Sequence, residues 1–282
     1  MKLHLLRNGF WMVPLLLVVL YWTSSRPNDE AGPTKRPAAS RAAKAGERQP
    51  GSLAAPRLPA PDPRYTLGQQ IDMLAATRRP QDAYIAYWLV QTCMDFMRTG
   101  ALRVEDGDAF RPATAAEKAD EARRCDGVTE RMKTTRLEHL ALAARGGASA
   151  ADLLFLKAGP FGDPSALESR PDDPLVLAWK EEAVGYLELQ AERGSVSSMI
   201  TLVGEYNEDI DLQKTHPASA LRYATAVHGY YDALLGGDPR NGSNPLTDEF
   251  MQRMAQGLSP EQIKLAVAEG QKISARAVEK QH

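Results

Sequence analysis

WKEEAVGYLELQAERGSVSSMITLVGEYNEDIDLQKTHPASALRYATAVHGYY, residues Trp179–Tyr231, decides the fold class. It divides into a helix stopped by Gly194, a second helix with Ser198, Leu202 and Tyr206 on one line, a polar loop, and a third helix through Ala220, Tyr223 and Val227. The spacings are those of a helical face, so each block carries one apolar stripe. A helix with a single apolar stripe cannot bury it alone. The stretch therefore predicts an all-α domain in which helices lie against one another in pairs.

Upstream, part of the same pattern recurs. Gly147, Ala151 and Phe155 repeat the four-residue steps of Gly194, Ser198, Leu202 and Tyr206, and the two glycines stand 47 residues apart. Each glycine is placed to stop one helix, and the small residue after it lets the next helix pack close. In the second copy the order Gly, small, Leu, Tyr, loop, Ala220, Tyr223 resembles the SEL-like class of tetratricopeptide-type repeats. Asp172, Val176 and Trp179 match the spacing of the residues that open the second helix of such a repeat. The resemblance implies antiparallel helix pairs stacked as a short α-solenoid, a protein-binding or scaffolding surface, and no catalytic residues. Where the family carries glycines this chain has Val203 and Asp209, Gly159 stands at the tyrosine place of the first copy, and AGPFGDPSALESRPDDP stretches the first loop. An irregular stack is the expectation.

The rest of the domain, residues 65–282, reads as more helix. Thr66 and Gln69, Thr114 and Glu117, and Ser259 and Gln262 have the spacing of capping boxes, the last with Pro260 at the first helical position. Pro80 opens a helix whose expected stripe is Ala83, Tyr87, Val90, Met94 and Met97, followed after Gly100 by a polar loop. The chain has two cysteines, Cys93 and Cys125, on two sequential helices. In an exported protein this pair reads as one structural disulfide bracing the helices.

Three segments follow from composition. Residues 1–25 form an apolar run, with Gly9–Trp22 at its centre and aromatic pairs Phe10/Trp11 and Tyr21/Trp22 at either end, as at the two interfaces of a membrane. The run is an anchor or a cleaved signal segment, and we expect a retained single-pass anchor through residues 9–22. Residues 26–64 are rich in Pro, Ala and Arg with almost no large apolar side chain, and cannot offset the entropy of ordering. They read as a disordered stem. The stem has eight basic and four acidic residues, whereas Tyr65 onward has 24 basic and 32 acidic, so the folded part is acidic and unsuited to nucleic acid. Positive charges flank the anchor on both sides and do not choose an orientation. The short tail and the cysteine pair favour the folded domain outside the cytoplasmic membrane. The Ala, Arg and Pro richness suggests a bacterial genome of high GC content, hence an inner-membrane protein facing the periplasm.

Chemistry-bearing motifs are few. The histidines, His4, His139, His216, His228 and His282, have no zinc-ligand spacing, and no nucleophile elbow, phosphate loop or dinucleotide fingerprint occurs. The nearest approach to a catalytic motif is Asp209-Ile210-Asp211, which has the Asp-Xaa-Asp form of metal-dependent glycosyltransferases. That motif belongs at a strand end, and no alternating β-branched runs supply a sheet. The expectation is thus a scaffold that binds another envelope protein without cofactor or metal, with a membrane-anchored enzyme using Asp209 and Asp211 as the alternative.

Overall fold

Thr66 accepts a hydrogen bond from the Gln69 backbone while the Gln69 side chain accepts one from the Thr66 backbone, and this reciprocal cap opens α1, Leu67–Ala76. The structure, a computed structural model, describes residues 58, 62–104, 110–208, 216–236 and 244–281, all within the unit Arg48–His282. The anchor expected over residues 1–25 lies outside the described residues. Among the described residues no helix is long and apolar enough to cross a membrane.

Pro80 stands at the start of α2, Pro80–Thr99, which Gly100 ends in the left-handed conformation at φ +65°. The segment after Gly100 is not wholly loop. Ala101–Arg103 (β1) and Phe110–Pro112 (β2) pair antiparallel, with Leu102 opposite Arg111. Thr114 and Glu117 form the second capping box, opening α3, Ala115–Cys125. The next helix, α4, is Glu130–Gly146, opened by Thr129, whose side chain accepts from the Met132 backbone. Gly147 ends α4 at φ +81°.

Beyond it come α5, Ala151–Ala158, a 3-10 turn at Pro160–Gly162, and a single helical turn, α6, at Ala166–Ser169. These last two occupy the stretch expected to be a long loop. α7, Pro174–Glu192, starts under the side chain of Asp173. α8 is Val196–Glu208, α9 Pro217–Leu235, α10 Asp248–Met254, and α11 Pro260–Glu279. The third capping box, Ser259 with Gln262, opens α11 as the sequence predicts.

Packing follows chain order. α1 lies on α2 and α2 on α4; α4 meets α5 and α7; α5 meets α7 and α8; α7, α8, α9 and α11 then follow in succession. Connections such as Gly147–Ala150 and Arg193–Ser195 are too short for anything but a reversal onto the preceding helix. One hydrophobic cluster gathers Leu67, Ile71, Val90, Cys93, Cys125 and Met132; a larger one runs from Tyr87 through Leu140, Phe155, Leu187, Leu202 and Tyr223 to Ile273. Leu58 packs against both, so burial begins before Tyr65.

The stripe expected for α2 is too narrow. Met97 is exposed and Met94 only half-buried, while Tyr84, Ala86, Trp88 and Leu89 are buried beside Ala83, Tyr87 and Val90. α1, α3, α4 and β1 all pack on this helix, and a helix covered on several sides is apolar nearly all round. Cys93 of α2 and Cys125 at the end of α3 are joined as a disulfide with a Cα–Cα separation of 5.5 Å.

Candidate interaction site

The residues singled out for helix packing come together in the larger cluster. Ala151, Leu202, Ala220 and Tyr223 are fully buried, Phe155 and Tyr206 nearly so, and Ser198 has no exposed surface. Phe155 stacks on Trp179 at 3.9 Å between ring centroids and meets Tyr186 edge-on at 5.1 Å. The Trp179 indole N–H donates to the Phe155 carbonyl at 3.1 Å. Tyr206 and Tyr223 stack in parallel at 6.4 Å.

Both glycines do more than stop a helix. A methyl group at Gly147 would lie 2.7 Å from Gln190 Oε1 of α7, and one at Gly194, φ +82°, would lie 3.1 Å from the backbone of Arg276 and Ala277 in α11. Each glycine therefore admits a later helix against a helix end. At the first, Gln190 Nε2 donates to the Ala144 carbonyl at 2.9 Å from across the interface, beside the Gly147 amide that donates to the same oxygen at 3.2 Å. Ser198 makes the equivalent link between α5 and α8: its hydroxyl donates to Asp152 Oδ2 at 2.5 Å, deep in the core. Burial holds the Asp152 carboxyl above the ordinary aspartate range, against the pull of Ser198 and nearby backbone amides.

A charged cluster lies where α7, α8, α9 and α11 meet, and pattern reading did not single it out. Arg222 of α9 stands among Glu188 and Glu192 of α7 and Glu269 of α11, at 3.6, 3.5 and 3.5 Å. Arg276 of α11 joins Glu192 at 2.9 Å, and the Tyr206 hydroxyl donates to Glu188 Oε1 at 3.1 Å. An Arg222 Nη donates to the Tyr223 hydroxyl at 2.7 Å, while its buried Nε makes no hydrogen bond among the described residues. Three carboxylates against two guanidiniums leave the cluster anionic, and all five side chains are partly open to solvent. Burial opposes the charge on Arg222, but the Tyr223 phenol and the three carboxylates outweigh it and hold the guanidinium above its ordinary value. Burial first, then Glu188, pushes the Tyr206 and Tyr223 phenols upward, so both remain donors at neutral pH. The spacing of Glu188 and Glu192, one turn apart, was visible; the approach of Arg222 and Glu269 depends on packing across three helices.

The other motifs offer less. Cys93, Glu121 and Cys125 lie close enough to hold a metal, but the two sulfurs are bonded to each other and are not thiolate ligands in that state. Asp209 and Asp211 lie outside the described residues. Comparisons with protein-family models, curated proteins and solved structures find no match to this chain.

Proposed function

We propose that this chain is a membrane-anchored helical-repeat protein whose folded domain, outside the cytoplasmic membrane, binds another envelope protein as a scaffold. The stacking of helix pairs into a short, irregular α-solenoid of the SEL-like kind is part of the proposal. Support comes from packing between helices that are not consecutive, α4 with α7 and α5 with α8, in addition to neighbours. Gly147 and Gly194 perform the same service at corresponding helix ends, as units of a repeat do.

The observation that carries a binding role is the anionic cluster around Arg222. Its contacts at 3.5–3.6 Å are longer than good charge-assisted hydrogen bonds, and the Arg222 Nε is unused. The Arg222 ion pairs are loose enough to re-pair with an incoming chain, while Arg276–Glu192 at 2.9 Å and Tyr206–Glu188 at 3.1 Å stay closed. The sign of the cluster matches a basic partner surface and steers its approach. Converting Glu188 and Glu192 together to Lys tests this. Proteins that co-purify from detergent-solubilised membranes should be lost while the helical circular dichroism spectrum is kept; recovery of the same proteins at the same yield would defeat the proposal.

A further inference from the structure

Among the described residues, Phe161 breaks two rules at once. It is 77 % exposed, and its backbone sits at φ +59°, the left-handed region that a bulky side chain rarely adopts. Neither property stabilises the domain: an aromatic ring in water gains nothing from burial, and the backbone is strained to hold it there.

The rest of the turn is built to keep it so. Gly159 and Gly162 flank it at φ +69° and +77°, and the Gly162 and Asp163 amides donate back to Gly159 and Pro160 at 3.0 and 3.1 Å. Beneath lies Arg136 of α4, only 8 % exposed. Its Nη1 donates to the Lys133 carbonyl at 2.7 Å, its Nε to Gln91 Oε1 at 3.2 Å, and its Nη2 reaches the Phe161 carbonyl at 3.5 Å. A methyl group at Gly162 would overlap that guanidinium, so the glycine is what lets the turn seat on the arginine. A buried cation bonded to neutral oxygens is a costly support for a surface turn. Such a support fixes the backbone that carries the ring.

We infer that Phe161 is an anchor residue of a protein-docking surface, entering an apolar pocket on a partner protein whose rim is basic. Aromatic side chains dominate interface energies, because they bring a large contact area on only two rotatable bonds. Beside the turn packs the start of α7, where Leu175 and Leu177 are 53 % and 52 % exposed on different faces of the helix. The charge of the segment that carries the ring sets the partner's. From Lys157 to Asp173 there are four acidic residues and two basic ones, and Arg170 is already engaged by Asp163 and Asp173. An acidic rim disfavours an anionic lipid surface and also a second copy of this acidic domain, and favours Lys and Arg on the partner.

The inference deepens the scaffold reading and rests on it. The test places the photocrosslinker p-benzoylphenylalanine at position 161 of the full chain in cells, with Leu265, an exposed residue of α11, as the control position. Irradiation should join position 161 to one protein, through a peptide that combines apolar residues with Lys or Arg, and the control should not yield that adduct. Adducts to lipid, to a second copy of this chain or to an acidic peptide overturn the inference, as does no adduct. Partners lost on reversing Glu188 and Glu192 but untouched from position 161 would remove this surface alone; no partner by either route removes both readings. A second variant guards against misfolding: Phe161→Asn, which tolerates the left-handed conformation, should leave the thermal midpoint within about 2 °C or raise it. A large fall would mean that the ring is packed rather than presented.

Discussion

Replacing Gly194 by Ala probes how the helices meet. The residue sits at φ +82°, where an L side chain costs about 1–2 kcal/mol on its own. The added methyl would also stand 3.1 Å from the Arg276 carbon and oxygen and from the Ala277 nitrogen, all backbone atoms of α11 that no rotamer change can move aside. Forcing two packed elements apart typically costs about 1–3 kcal/mol more, so the variant should lose roughly 2–5 kcal/mol. Gly236→Ala supplies the reference: it too has positive φ, +60°, but a methyl there meets nothing within 4 Å among the described residues. It should lose only the conformational part, about 1–2 kcal/mol. Urea unfolding of both variants, extrapolated to water, reads the difference directly. Equal losses would mean that α11 does not rest on the end of α7, and the packing argument would fail with it.

Other outcomes follow from the same coordinates. Asp152→Asn should stabilise the protein at neutral pH. The folded state holds the Asp152 proton more tightly than the unfolded chain, so ionisation favours unfolding; the cost is absent below the unfolded value of about 4 and grows as pH rises toward the folded one. The gap between variant and wild type should widen over that interval in pH-dependent thermal melts. Substituting both cysteines by Ala should cost about 3–4 kcal/mol in the loop-entropy description, since the disulfide spans 32 residues, and reagents for free thiols should find none in the unreduced protein. Trp179→Phe keeps a ring against Phe155 but leaves the Phe155 carbonyl without its indole donor, for a loss of about 1 kcal/mol in chemical unfolding.

What could be read in the residues alone was whatever local chemistry decides. Thr66, Thr114 and Ser259 with their partners at the third helical position, and Pro80 at a helix start, declare helix ends within four residues of chain. The lines Gly147–Ala151–Phe155 and Gly194–Ser198–Leu202–Tyr206 were legible because helical periodicity survives any arrangement of neighbours. The all-round burial of α2 was not, since it depends on how many elements cover one helix. The ribbon of β1 and β2 has three residues per strand, and Phe-Arg-Pro shows no alternation to betray it. The Arg222 cluster and the Arg136 support for Phe161 share one reason for going unseen: each joins side chains from distant segments, and no spacing within either segment encodes the meeting.

Amide hydrogen exchange of the Gly194→Ala variant, followed peptide by peptide, tests the stacked-pair account most directly. If each pair leans only on its neighbours, exchange should quicken in α7, α9 and α11 and in the helices that touch α7, which are α4, α5 and α8, while α1 to α3 keep their protection. A uniform rise across all the helices would show one indivisible core and contradict it.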